Sequence, residues 1–397
     1  MKKIDPKVDE AIQTLNMKDG PSRRKLLTGT GLVSATAAAS ALLAACSSSG
    51  TGTESVTQSA AAAVAGNFPK TPPWQFWFVN HVTTNLFFVP TIFGMGDAAA
   101  LLGLPKPKWT GSASSTIATM VSAINTAIAA KADGIATTVI NATPTDTSFR
   151  TPVANAMNAG IPVVTYNADG PIIKGVAYPG TNRLCYVGQA LYLSGQQMGQ
   201  QIKTLAKPGE IVIFIATPGT ANIQPRYDGA ASILTPAGYT VKMVATGAST
   251  AVEGPAEKAF LIGSKNITGA FAVDAGSTEE LGPTLASLGL AGKIPAGGFD
   301  LTPGTLTAIN AGQIDFTISQ DPYMQGFLPT LYLYMFNLTG GLVSPPNTDT
   351  GLSFITKSNV GPYLKYSTTY EGSTGATKPT LVPRSGPIQN PIATTST

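Results

Sequence analysis

Gly297-Gly298-Phe299-Asp300, then a run that ends in Phe316-Thr317-Ile318-Ser319-Gln320-Asp321-Pro322, is the stretch whose reading decides the fold. The apolar strand Ile294–Phe299 closes on a carboxylate, Asp300. Pro303–Ala311 reads as a helix, and Asp315–Ser319 as a second strand that closes on an amide, Gln320. One helix between two such strands is a right-handed crossover, so both polar tips emerge on the same edge of the sheet. In an open α/β sheet that edge is where ligands bind. A carboxylate accepts from hydroxyls, and an amide both donates and accepts, so the pair suits a neutral polyhydroxyl ligand.

The same alternation extends outward from this stretch. Before it come strand Ile211–Ala216, helix Ile223–Leu234, strand Tyr239–Ala245, helix Val252–Ile262, strand Ala270–Val273 tipped by Asp274, and helix Thr278–Leu288. Helix Ser194–Leu205 precedes them. Earlier still, strand Trp74–Asn80 leads through Asn85-Leu86-Phe87-Phe88 into a helix ending near Leu102. Strand Pro107–Thr110, helix Ile117–Lys131, strand Ile135–Ile140 and helix Thr143–Ala159 follow. Strand Ile161–Tyr166 is tipped by Asn167-Ala168-Asp169, and Leu352–Ile355 supplies a late strand. Strands alternating with helices of ten to fifteen residues build parallel sheets. Two such runs predict two doubly wound α/β lobes.

Composition narrows the function classes. The chain has 397 residues, 43% hydrophobic and 12% charged, which is long for one ordinary domain. Its net charge of +4 sits mostly in residues 1–45, where seven Lys/Arg face four acids. The remainder is near neutral and gives no argument for nucleic-acid binding. The single histidine, His81, cannot build a multi-histidine metal site, and no zinc, redox-dithiol or phosphate-loop motif is present. No cofactor, metal or catalytic residue is expected. Of the two cysteines, Cys185 reads as a small buried residue.

Ser22-Arg23-Arg24-Lys25-Leu26-Leu27 before an uncharged run to Ala45 resembles a twin-arginine (Tat) export leader, with Leu26 in place of the usual Phe. Leu43-Ala44-Ala45-Cys46 resembles a lipobox, which implies cleavage before Cys46 and lipid on its sulfur. The competing reading is an uncleaved membrane anchor. Residues 46–69 read as a flexible Ser/Thr/Ala/Gly tether. The protein is thus expected to be exported and held at the cell envelope by lipid alone.

From Trp74 to Phe336 the body resembles the type I periplasmic binding proteins, in particular the ribose-binding-like sugar-binding components of ABC importers. Asn85-Leu86-Phe87-Phe88 is similar to the family's Asn-Pro-Phe-Phe, which implies sugar contact by Asn85, Phe87 and Phe88. Asn167-Ala168 stands where the family has Asp-Arg. The segment Pro218 to Gly229 resembles the second-lobe loop and helix start whose arginine, here Arg226, binds sugar oxygens. Asp274 falls on the family's ligand asparagine, and Gly298-Phe299-Asp300 and Gln320-Asp321-Pro322 match most closely. The resemblance implies a chain that crosses three times between lobes, near Asn182, Asp321 and Pro345. The expected parts are leader 1–45, tether 46–69, first lobe 70–182 with 321–345, second lobe 183–320 with 346–371, and a disordered tail 372–397.

The expected ligand set is Asn85, Phe87, Phe88, Asn167, Arg226, Asp274, Asp300 and Gln320, with Asn80, His81 and Asp169 as further candidates. Each has a plainer reading. Asp300 and Asp274 suit helix caps, Asn85 a loop or cap, Arg226 a surface ion pair, and Asp169 a turn. The phenylalanines suit core packing as well as stacking on a sugar face. Loss of the Asp-Arg pair and gain of Asp274 imply a recut pocket for a neutral pentose, hexose or polyol rather than ribose itself. The implied function is a monomeric solute-binding protein that closes its lobes on the sugar and meets a membrane permease. The ATPase would be a separate chain. A sensor of the same fold, coupled to a chemoreceptor or kinase, is the alternative. An extracellular glycan hydrolase would need a catalytic pair such as Asp274 and Asp300.

Overall fold

Strands buried on both faces carry near-continuous apolar runs because helices cover each side of the sheet. Phe76–Asn80 (β1) is such a strand, buried throughout. The computed structural model describes residues 69–364, apart from residues 142 and 265. The expected leader with Cys46, nearly all of the tether and the tail 372–397 lie outside the described residues.

After β1 come Val89–Leu101 (α1), Lys108–Gly111 (β2), Ile117–Ala129 (α2), Gly134–Val139 (β3), Arg150–Asn158 (α3) and Val163–Asp169 (β4). A small hairpin, Ile172–Ile173 (β5) and Val176–Ala177 (β6), leads to Tyr186–Gly188 (β7). The second run is Leu191–Leu205 (α4), Glu210–Ile215 (β8), Gln224–Leu234 (α5), Thr240–Ala245 (β9), Thr250–Gly263 (α6) and Ile267–Ala272 (β10). It continues with Ala275–Ser287 (α7), Ala296–Phe299 (β11), Pro303–Ala311 (α8) and Phe316–Ser319 (β12). Met324–Leu338 (α9), Thr348–Asp349 (β13) and Ser353–Thr356 (β14) complete it.

The strands form two six-stranded sheets, ordered β13-β7-β4-β3-β1-β2 and β14-β12-β11-β10-β8-β9. All pairings within them are parallel except β12 with β14. Strand alternation divides each lobe's core in two. In the first sheet, Trp77, Val79, Ile135 and Val163 pack under α2 and α3, while Phe76, Phe78, Ala136 and Val164 pack under α1 and α9. In the second, Ile211, Ile213 and Ile215 face α4 and α5, while Val212 and Phe214 face α6, α7 and α8. Each fully buried Val, Ile or Phe among them contributes about 1.5–3 kcal/mol relative to exposure.

The chain leaves the first sheet after Gly188, returns to the first lobe between Ser319 and Met324, and leaves again after Asp349. The expected crossings near Asn182 and Pro345 fall short of these points. β7 and β13 belong to the first sheet, and at three and two residues they are too short to show alternation in sequence. The helix expected from Thr143 begins only at Arg150. Asn141 Nδ2 donates to the Thr143 and Asp146 carbonyls, and Asp146 accepts from the Ser148 backbone. These local bonds compete with the helical ladder. Among the described residues, no helix is long and apolar enough to cross a membrane.

Candidate functional site

The carboxyl ends of β4, β11 and β12 and the first turn of α5 bring one set of polar side chains together. Arg226 lies in that turn, and its direction is set by how closely α5 sits on α4. A β-carbon on Gly195 would fall 2.1 Å from the Arg226 carbonyl oxygen, and one on Gly229 would fall 2.2 Å from that of Tyr192. Only glycine permits this approach. The Arg226 side chain is driven inward and is 2% exposed. Its Nε donates to Gln189 Oε1 at 3.1 Å and its Nη1 to the Val273 carbonyl at 3.0 Å. The guanidinium lies 4.3 Å from the Phe299 ring centroid, a cation–π contact. Burial pulls its pKa down, while Asp300, Tyr186 and Asp274 pull it up, and an arginine in such company stays charged.

Asp300 follows β11 in the left-handed region, at φ 75°. Its backbone N–H donates to the Ile318 carbonyl, and its Oδ1 accepts from Gln320 Nε2 at 2.7 Å. Burial pushes its carboxyl up to about 6, against the pull of Arg226 and of the Gln320 bond. Gln320 Oε1 in turn lies 3.1 Å from Gln325 Nε2 and 3.5 Å from Asn167 Nδ2. Asn167, at φ 62° near the end of β4, donates from Nδ2 to Gln325 Oε1 at 3.1 Å. Asp300, Gln320 and Asn167 therefore make one buried hydrogen-bonded run from the second lobe to the first, and the charge of the buried Arg226 acts on its Asp300 end. Asn167, Asp300 and Asp321 all hold positive φ, a costly backbone state for residues with a β-carbon that gathers at functional sites.

Asp274 supports the run from beneath. It caps α7, with Oδ1 accepting from Ser277 N at 3.0 Å, and it ties β8 to that helix through Ala216 N at 2.8 Å. Its carboxylate oxygens are occupied by the protein, although burial raises its pKa and Arg226 opposes that rise. Phe87 and Phe88 form an edge-to-face pair with centroids 4.8 Å apart inside the first-lobe core. Ala275, at the start of α7 in the second lobe, packs against the same cluster.

The remaining candidates are engaged elsewhere. Asn85 is exposed and caps the short turn Leu86–Phe88, accepting from Phe87 N at 2.9 Å. Asp169 is held by Arg183 and by Thr165 Oγ1, so it is a structural ion pair rather than a turn. Asn80 donates to the Tyr166 hydroxyl and accepts from Val82 N. His81 bonds Thr138 Oγ1 through Nδ1 and lies edge-on to Phe88, and burial pulls its pKa down to about 4, leaving a neutral ring. Cys185 is buried in the core, and burial pushes its thiol up to about 12.

Two site residues escape a sequence reading, Gln189 and Gln325. Gln189 is 1% exposed and Gln325 is 0% exposed. Besides holding Arg226, Gln189 donates to the Gly351 carbonyl, and Tyr186 joins them with its single hydroxyl hydrogen shared between the Asn167 and Gln189 carbonyls. The only signal for either glutamine is its position beside a lobe crossing, and a glutamine near a helix start is as much at home on a surface.

Residues 76–336 match the family described as periplasmic binding protein domain. A xylose/arabinose-binding protein, XylF, of Sulfolobus acidocaldarius is 47% identical over 325 residues, which is 79% of each chain. The chain belongs to the periplasmic binding protein family. An ABC transporter solute-binding protein from Burkholderia graminis, solved in complex with D-arabinose, has the same fold, with TM-score 0.66 and 24% identity over 74% of this chain and 99% of that one. A carbohydrate transporter from Acidothermus cellulolyticus, solved with myo-inositol, gives TM-score 0.64 and 23% identity over 75% and 98%. The paired parallel sheets are those of this family's type I members.

Proposed function

We propose that this periplasmic binding protein is the sugar-capturing component of an ABC importer and takes a neutral pentose of the xylose or arabinose kind. The observation that carries the reading is the buried run Asp300–Gln320–Asn167, with the buried Arg226 guanidinium near enough for its charge to act on Asp300. It joins both lobes with groups that match hydroxyls in either sense: a guanidinium that donates, a carboxylate that accepts and two amides that do both. The relative at 47% identity is named for xylose and arabinose, which supports the pentose class.

In this reading Arg226 uses two of its five N–H groups on Gln189 and Val273 and turns others toward ligand oxygens. Asp300 accepts a pair of ligand hydroxyls, and Gln320 and Asn167 complete the ring of polar contacts. Phe87 and Phe88 offer an apolar wall to the C–H face of the sugar. Asp274 keeps β8 and α7 in place and sets the local charge. Because the ligand touches both lobes, it stabilises their approach over their separation. The joined surface would then be read by a membrane permease whose ATPase is a separate chain. Export by the twin-arginine leader and anchoring through lipid on Cys46 belong to the same proposal and rest on the sequence motifs.

Calorimetric titration with D-xylose, L-arabinose, D-ribose, glucose and myo-inositol tests the reading. A pentose is expected to bind the wild type and to lose at least about a hundredfold in affinity in Asp300→Ala, since two charge-assisted bonds contribute about 1.5–3 kcal/mol each. Binding of no sugar, or equal affinity in the variant, would overturn it.

A further inference from the structure

Three acceptors surround the two hydrogens of Gln325 Nε2. They are the Gln320 carbonyl at 3.1 Å, Gln320 Oε1 at 3.1 Å and Thr350 Oγ1 at 3.2 Å. An amide nitrogen has two hydrogens, so the three acceptors compete for them. On its other side, Gln325 Oε1 takes the Asn167 Nδ2 hydrogen. Gln325 and Gln320 are buried, so water does not replace the bonds between them, while Thr350 is half-buried.

The acceptors lie on different crossings. Gln320 opens the second, between β12 and α9, and Thr350 opens the third, between β13 and β14. Thr350 Oγ1 donates to the Gln320 carbonyl at 2.7 Å, and Thr350 N donates to the Gly188 carbonyl at the end of β7, where the first crossing begins. All three crossings are therefore wired to one amide, and that amide also touches two groups of the candidate site.

We propose that Gln325 is a positioning residue that couples occupation of the cleft to the angle between the lobes, an inference that rests on the sugar-binding reading above. A ligand hydroxyl donating to Gln320 Oε1 replaces the hydrogen that Gln325 shares there. Gln325 Nε2 then serves Thr350 and the Gln320 carbonyl without competition, and the second and third crossings are drawn together. Without such a donor, Gln320 Oε1 competes for the same hydrogen and the Thr350 bond weakens. Asn167 reports from the first lobe in the same way through Gln325 Oε1.

The test uses the full chain with fluorophores at the exposed positions Leu101 and Ile262, one at the end of α1 and one near the end of α6. Inter-lobe distance distributions are recorded in buffer and with D-xylose or L-arabinose, for wild type, Gln325→Leu, Thr350→Val and the double variant. Sugar dissociation is followed by stopped flow. Both single variants are expected to broaden the distribution in buffer alone. Dissociation should quicken about tenfold in Gln325→Leu and severalfold in Thr350→Val, in line with one or two lost hydrogen bonds. Thr350 is not among the proposed ligand contacts, so the second effect would not follow from pocket lining. The double variant should fall short of the sum of the two singles, because both cut the Gln325–Thr350 bond and only Thr350→Val also removes the bond to the Gln320 carbonyl. Wild-type distributions in buffer for both single variants would overturn the coupling. A wild type that answers no sugar would overturn the pentose reading instead, and the comparison in buffer would still decide the coupling.

Discussion

Replacing Glu257 with glutamine should stabilise the protein increasingly as pH rises above about 4.5 and leave it unchanged below that. Glu257 lies on the buried face of α6 with Glu253 and Leu261, is 0% exposed, and no cation or backbone N–H bonds its carboxylate oxygens, although the Thr284 hydroxyl lies close enough to ease its charge. Burial, then the charges of Asp274, Glu253 and Glu280, push its carboxyl from 4.5 up to about 10. A carboxyl raised in this way binds its proton more tightly folded than unfolded. Its contribution is fully present below pH 4.5 and is lost as pH rises toward 10. Over that window each pH unit costs about 1.4 kcal/mol, so keeping Glu257 neutral at pH 7 costs up to about 3 kcal/mol. Glutamine has the same shape and no charge, so that cost disappears. Chemical denaturation of wild type and Glu257→Gln at several pH values between 4 and 8.5 measures it. The gain should be near zero at pH 4 and grow to about 3 kcal/mol at pH 7. A gain independent of pH, or none at pH 7, would refute the reasoning. Glu253, pushed up to about 8 by burial and then by Asp274, Glu280 and Glu279, adds to the wild-type slope in the same sense.

Other outcomes follow from the site. Sugar affinity should fall as pH drops through about 6, where the buried Asp300 carboxyl takes up a proton, and Asp300→Asn should bind weakly with a flat profile; titrations from pH 5 to 7.5 check both. Gly195→Ala places a methyl against the Arg226 carbonyl, so it should cost about 1–3 kcal/mol of stability and weaken sugar binding. Gly96→Ala, where the added carbon meets only Lys106 at 3.7 Å, should do neither, and paired melts and titrations compare the two. Cys46→Ser should release the exported protein from membranes on fractionation, whereas retention would mean an uncleaved anchor.

The local pattern of the chain determined the two α/β lobes and the polar tips of their strands. The periods of apolar residues, the breaks at Gly and Pro, and the strands closing on Asp300, Gln320 and Asn167 are properties of neighbouring residues. Such features act within a turn or a strand and are legible in order along the chain. Tertiary structure decided which of those tips share one cluster. It joined Asn167 to Gln320 across 153 positions, spent Asp274 on a cap and Asp169 on Arg183, and turned Asn85 outward. It alone found β7, β13 and the two glutamines, Gln189 and Gln325. A three-residue strand has too few positions to alternate, and a buried amide is chosen by partners far away in sequence. A polar residue's role depends on which donors and acceptors the fold sets beside it, and local pattern carries no record of those distances.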